Sequence, residues 1–341
     1  MKLSSRVIEK GLEVGLITLM VCAAESIPGL AQSAPKLDGH SAQVKNAGKH
    51  IHLAQHLNPD AKATPLSALI NTPYAEHKPA VAPKGNRIYF SRSFYPKNTG
   101  GEKDQEDIWY SDLDSVTHVW KKPELAEGSL NNAGANRLNG ISVTGDTIIL
   151  DNRYEGKSKV KPGLSYSVVE KGKWNAPIPI KIDHDQNASK SRDSFVALGI
   201  GVIISAVQRK DTYGDRDLYV SFWDGQVATE PVNMGGIINS DMDESSPYLA
   251  ADTKTLYFAS KGHEGFGGFD IFVTKRLDNS WTNWSAPENL GKAVNGFLDE
   301  ESFMITHSTR YAYFARNVTV HNVDLYTIPM DELFVVNRHF R

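Results

Sequence analysis

Glu76, Arg137, Arg192, Glu244 and Glu300 each stand five residues after an asparagine, at Asn71, Asn132, Asn187, Asn239 and Asn295. The steps between these asparagines are 61, 55, 52 and 56 residues. Charges that recur in one register suit two kinds of chemistry. Carboxylates gathered at one level can supply the acid and base that flank a glycosidic bond. A ring of mixed charge can instead hold a polar peptide, a glycan or a cation. His77, Asp193 and Glu301 lie beside these positions and join the candidate ligand-binding set. The plain alternative is that the charges pair between neighbouring repeats while each asparagine caps a turn.

The elements that must position these residues repeat with them. Beyond each charge lies a β-rich segment centred on Phe90, Leu150, Ile204, Phe258 or Phe314. A third segment reads Asp-(Ile/Leu)-aromatic at Asp107, Asp217, Asp270 and Asp324, with Gly163-Leu164-Ser165 in its place in the second unit. A fourth is marked by Trp-x-x-Pro at Trp120, Trp174 and Trp284; the third unit keeps only Pro231 and the fifth lacks the signature. Short strands rich in β-branched and aromatic residues fit a pleated, half-buried sheet. One such sheet cannot bury both faces alone, so neighbouring sheets must stack. The expected fold is all-β: a five-bladed β-propeller of four-stranded antiparallel blades over residues 66–330. Its strands run outward from a central channel, so the charged residues are expected at the channel mouth. Two arginines among three glutamates are expected to keep those acids ionised.

Repetition weighs against catalysis at several positions. The Asp of the third strand recurs four times, as a loop cap would, and the Trp-x-x-Pro tryptophans read as packing between blades. Trp109 and Trp223 fall outside that motif. "KGHEGFGGF", Lys261 to Phe269, lacks the Gly-Lys-Ser/Thr and following helix of a phosphate loop. "NTGGEKDQED", Asn98 to Asp107, is acidic but lacks the spacing of a calcium loop. His40, His50, His52 and His56 lie in a polar stretch, where a helix over 41–57 would put His52 and His56 on one face; no acid or cysteine completes a metal site. No cofactor or metal is expected, and no Ser-His-Asp set can be nominated.

Ile-Asn, Glu-Ser-Ser-Pro, Leu-Tyr-Phe-Ala-Ser, a Gly-rich loop, Asp-Ile-Phe and Trp-Ser-x-Pro-x-Asn-Leu-Gly follow one another from Ile238 to Gly291. This order resembles the TolB-like propeller repeats of exported Gram-negative envelope proteins, with the likeness running over residues 66–330 and loosest in units two and three. In that family the repeats often precede an OmpA-like peptidoglycan-binding domain, which the sequence does not contain. The resemblance implies a cell-envelope propeller that works by interaction rather than turnover.

The 341 residues carry a formal charge of -3, which gives no electrostatic footprint for nucleic acid. Lys2, Arg6 and Lys10 precede an apolar run from Val14 to Ala24, and Ala31 and Ser33 suit a signal-peptidase cut before Ala34. Residues 1–33 therefore read as a signal peptide, 34–65 as a polar N-terminal arm and 331–341 as a C-terminal tail, with no transmembrane span in the mature chain. Cys22, the sole cysteine, lies inside the targeting segment in a run that resembles a lipobox, though bulky Val21 precedes it. A periplasmic or secreted location follows, with outer-membrane association through Cys22 as the variant. The expected function is a non-catalytic scaffold that recognises an envelope protein, peptide or polysaccharide at the channel mouth. The alternative is a glycan-acting enzyme built on the mouth carboxylates.

Overall fold

The computed structural model describes residues 43–46, 49–155, 159–306 and 310–335. The targeting segment with Cys22, His40 and the side chain of His50 lie outside the described residues, as does the tail from 336 on.

Five antiparallel sheets stand around one axis as a five-bladed β-propeller. Blade one comprises Glu76–Val81, Arg87–Arg92, Asp107–Asp112 and Glu124–Leu125. Blade two comprises Arg137–Ile141, Thr147–Glu155, Lys159–Glu170 and Ile178–Ile182. Blade three is built from Asp193–Ala197, Val202–Val207, Asp217–Phe222 and Val232–Asn233. Blade four runs through Glu244–Leu249, Thr255–Ser260, Asp270–Lys275 and Glu288–Asn289. Blade five takes Glu300–Ile305, Tyr311–Thr319 and Asn322–Pro329 from the end of the chain and its outer strand, Thr64–Pro65, from the beginning. The two ends of the chain therefore share one sheet, which explains why the fifth repeat has no Trp-x-x-Pro strand of its own.

Alternation of side chains along each strand sends apolar residues to the seams between blades. Five buried clusters result, one per seam. Tyr89 and Ile108 of blade one meet Leu138 and Leu150 of blade two, while Val220 and Phe258 join blades three and four. Tyr257 and Phe303 stack at 4.8 Å between blades four and five. The motif tryptophans lie in these seams: Trp120 between blades five and one, Trp174 between one and two, Trp284 between three and four. Trp109 is also buried, its Nε1 donating to Asn98 Oδ1 at 3.0 Å, and Trp223 packs against the seam of blades two and three.

The arm before residue 66 is not the unpatterned linker expected from its composition. Lys49–His52 is a strand paired with Gln43–Asn46, so His52 and His56 do not share a helical face. Ile51, Ala54 and Ala61 are buried, and the Ala54 and Asn58 amides donate to Asn289 and Leu333. His52 Nδ1 lies 3.2 Å from the Pro287 carbonyl. Among the described residues no group of three His, Cys, Asp or Glu side chains could hold a metal ion. No described helix is long and apolar enough to cross a membrane.

Candidate active site

Blade lead-ins are held by asparagines that reach backward rather than cap their own turn. Asn295 Oδ1 accepts the Ile271 amide at 2.8 Å while its Nδ2 donates to the Ile271 carbonyl at 2.9 Å, so blade five is pinned to the third strand of blade four. Asn71 and Asn239 do the same to Leu325 and Leu218. In blade two this residue is Asn131, paired with Ile108, and not Asn132. Asn187 instead binds within its own blade, accepting the Gln208 amide.

The residue five places on closes the lead-in turn. Glu76 accepts the Thr72 amide at 3.0 Å, the Thr72 hydroxyl at 2.7 Å and Arg92 at 2.8 Å. Glu244 accepts from Ser240 and Ser260, and Glu300 accepts the Gly296 amide and forms an ion pair with Arg316 at 3.2 Å. All three are buried, and Arg192 is buried against Asp185. The expectation that Glu76, Glu244, Glu300 and Arg192 bind ligand at the channel mouth is therefore corrected. So is the expectation that they stay ionised: burial pushes Glu76, Glu244 and Glu300 up to about 7 despite the donors around them.

The channel-facing ring lies one residue further on. Opposite Ser91, Asp151, Ala206, Ala259 and Ala315 of the second strands stand His77, Arg137, Asp193, Ser245 and Glu301. Because side chains alternate along a strand, one residue of register moves a side chain to the other face. In blade two the clamp is Asn131, so Arg137, six residues on, falls on the channel face. A β-bulge follows the ring residue in blades one, four and five. It puts Lys78, Ser246 and Ser302 at φ of 52, 48 and 58°, a left-handed conformation unusual for non-glycine residues.

These residues enclose a cavity of about 360 Å³ at the channel. His77, Arg137, Asp193 and Glu301 line it together with Lys78 and Arg216. Lys78 Nζ lies 2.6 Å from Asp193 Oδ1 and 3.9 Å from Asp151 Oδ2. Arg216 lies 3.6 Å from the other Asp193 oxygen and is itself held by Asp243 at 2.8 Å. Arg137 donates Nε to Glu106 at 2.6 Å. The Ser245 hydroxyl sits between two carboxyl groups, hydrogen-bonded to Asp193 and 2.9 Å from Glu301 Oε1. Burial opposes ionisation of Asp193, but Lys78, Arg216 and Arg137 overcome it and hold the group well below the usual carboxylate range. Burial and then the charge of Asp193 push Glu301 up. Burial also lifts Asp151 to about 7 and lowers His77.

Lys78, Glu106, Arg216 and Ser245 escaped the sequence reading, although two of them carried a signal. Glu106 and Arg216 immediately precede the third-strand aspartates, as does Phe269, and all three line the cavity. Those aspartates are loop caps. Asp107 accepts Thr99 N–H at 2.6 Å, Asp217 accepts Tyr213 N–H at 2.9 Å, and Asp270 accepts the Phe266 amide. In the last loop a Cβ on Gly265 would lie 1.7 Å from Asp270 Oδ2, so only glycine fits that turn. Within the acidic stretch from Asn98 to Asp107, Asp104, Glu106 and Asp107 are all engaged by protein donors.

No protein-family model matches the sequence, and no curated protein does. Among solved structures, the chain is similar to a glycoside hydrolase at 10% identity and a TM-score of 0.53, covering 84% of this chain and 95% of that one. It is similar to an α-L-arabinofuranosidase of Podospora anserina solved with cellotriose, at 12% identity and a TM-score of 0.52, over 80% of this chain and 98% of that one. An α-L-arabinofuranosidase of Lactobacillus brevis matches at 12% identity and a TM-score of 0.50, over 77% and 92%. At such identities the likeness is one of fold. The expectation of a non-catalytic recognition scaffold is nevertheless corrected by this finding: these three solved rings are glycoside-cleaving enzymes, in line with the alternative weighed above.

Proposed function

We propose that the protein is a glycan-acting enzyme that breaks a glycosidic bond in the central cavity, with Glu301 as the proton donor and Asp193 as the ionised partner. The observation that carries this reading is the Ser245 hydroxyl. It has one hydrogen to donate and two carboxyl groups within reach. If it donates to Asp193, the contact with Glu301 is a hydrogen bond only when Glu301 itself carries the proton. The chain of donors then runs from Glu301 through Ser245 to Asp193. This agrees with the opposite directions in which the surroundings drive the two acids, the arrangement that separates an acid from a base at one pH.

Two carboxyl oxygens on one hydroxyl are no further apart than two O–H···O bonds, about 6 Å. That favours the closer geometry of roughly 5–5.5 Å, in which the second carboxylate acts as nucleophile. In the first step Glu301 protonates the glycosidic oxygen, the bond from the anomeric carbon to that oxygen breaks, and Asp193 bonds to the anomeric carbon. In the second, Glu301 takes a proton from water, whose oxygen displaces Asp193. Lys78 and Arg216 keep Asp193 ionised for attack. Release of reducing ends from a panel of polysaccharides tests the reading, with Glu301→Gln and Asp193→Asn as controls. Activity in the parent that both substitutions remove supports it, and activity that survives either one refutes it.

We further propose that the enzyme works outside the cytoplasm after cleavage before Ala34, which the charged start, the short apolar run and Ala31 and Ser33 support. Intact mass of material from the cell envelope checks this, and a chain retaining a lipid-modified Cys22 would contradict it.

A further inference from the structure

We infer that the cavity selects a sugar bearing a carboxylate, a uronate residue, through Arg137; the inference rests on the reading above only in placing a sugar there. Arg137 stands on the channel-facing ring with Asp193 and Glu301, and its side chain is 34% exposed to the cavity. Its Nε is taken by Glu106, whereas Nη1 and Nη2 donate to no described residue. The guanidinium is thus held in a fixed plane by one buried carboxylate while its outer edge is left open. Two parallel N–H donors on a rigid fork match the two oxygens of a carboxylate.

The charges around it are paired with one another. Lys78, Arg137 and Arg216 are the cationic groups on the cavity wall, and Asp193 and Glu106 are the carboxylates there with cationic partners. Arg216 is matched in turn by Asp243, which holds it at 2.8 Å, so each of the three cations has a carboxylate partner. Asp151 lies behind Lys78 and Asn139, off the wall. The ion pairs of the wall are thus closed among themselves, and the donors left open belong to Arg137. An uncharged sugar would leave those charged donors without a charge-bearing acceptor in a confined space, where electrostatic mismatch costs more than in water.

Titration calorimetry on the intact protein with the methyl glycosides of galacturonate and galactose, and of glucuronate and glucose, tests the inference without requiring turnover. At least one acid should bind roughly tenfold or more tightly than its neutral counterpart, as expected for a charge-assisted pair, and the preference should shrink as salt is raised. Arg137→Lys, which keeps a cation for Glu106, should lose most of that preference. Equal binding of acid and neutral sugars, binding of neither acid, or an undiminished preference in Arg137→Lys would overturn the assignment. Uronate binding with no glycoside cleaved refutes the hydrolase reading and leaves this one standing. Cleavage of neutral glycosides with no preference for acids does the reverse.

Discussion

At the scale of single residues, the proposed site rests on one serine hydroxyl that donates to Asp193 and accepts from Glu301. Glu301→Gln keeps the shape and an N–H donor but has no acidic proton, so kcat should fall by roughly 10²–10⁴ while the melting temperature stays close to the parent's. The pH dependence follows from the directions of the two shifts. Glu301 is raised, so activity should be present on the acid side of its pKa and be lost as pH rises through it. Asp193 is lowered, so its acid limb should lie well below the ordinary carboxylate range. Lys78→Met would leave a buried carboxylate with one ion partner fewer, at a cost of about 3–5 kcal/mol. It should also move the acid limb upward. A pH–rate profile and a denaturant melt on the same variant separate these effects, and a melt that moves without the acid limb would deny Lys78 its role in holding Asp193 ionised.

At the scale of elements, the period, the blade count and the capping role of the third-strand aspartate were legible because they repeat, and repetition exposes whatever every blade needs. The channel ring was legible only in part, for a physical reason. His77, Arg137, Asp193 and Glu301 were marked by their place beside the repeated charges, whereas Ser245 carries no charge to mark it and the buried lead-in residues Glu76, Arg192, Glu244 and Glu300 carried the same signal as the ring. Strand alternation then put the repeated charges on the buried side. In blade two, adjacent Asn131 and Asn132 offered two starting points for the count, and hydrogen bonding selects the first. Lys78 could not be read from spacing at all, since the bulge after His77 is what turns it. The asparagine clamp gives its own test. Asn295→Ala removes bonds to both polar groups of Ile271 and to Asn289 in a buried seam. It should destabilise the fold by roughly 2–4 kcal/mol, as two or three lost buried hydrogen bonds would, with little effect on kcat in the protein that remains folded. A denaturant melt measures the first and a rate normalised to folded protein the second.

Over the whole molecule, the ring is closed by Thr64–Pro65 on the strand Asn322–Pro329, with Leu66 buried in the seam of blades five and one and Ala54 in that of blades four and five. A chain beginning at Leu66 would expose a strand edge in blade five, so it should melt at a lower temperature than the same protein carrying residues 43–65. Three buried carboxyls set a pH trend on the same scale. Glu76, Glu244 and Glu300 lie near 7 in the fold against an ordinary 4.5. A carboxyl raised by folding contributes stability that is fully present below its unfolded value and is lost as pH rises through its folded value. The melting temperature should therefore drop between about pH 5 and pH 8, and replacing Glu244 with Gln should flatten that slope. Activity depends on all of this only through the cavity the ring encloses, and the most direct test of that cavity's chemistry is proton NMR of the first product formed from a defined glycoside. The account predicts that the parent releases a sugar of retained anomeric configuration and that folded Glu301→Gln releases it at least about a hundredfold more slowly. No release from acidic or neutral glycosides, or release undiminished by the substitution, would contradict it.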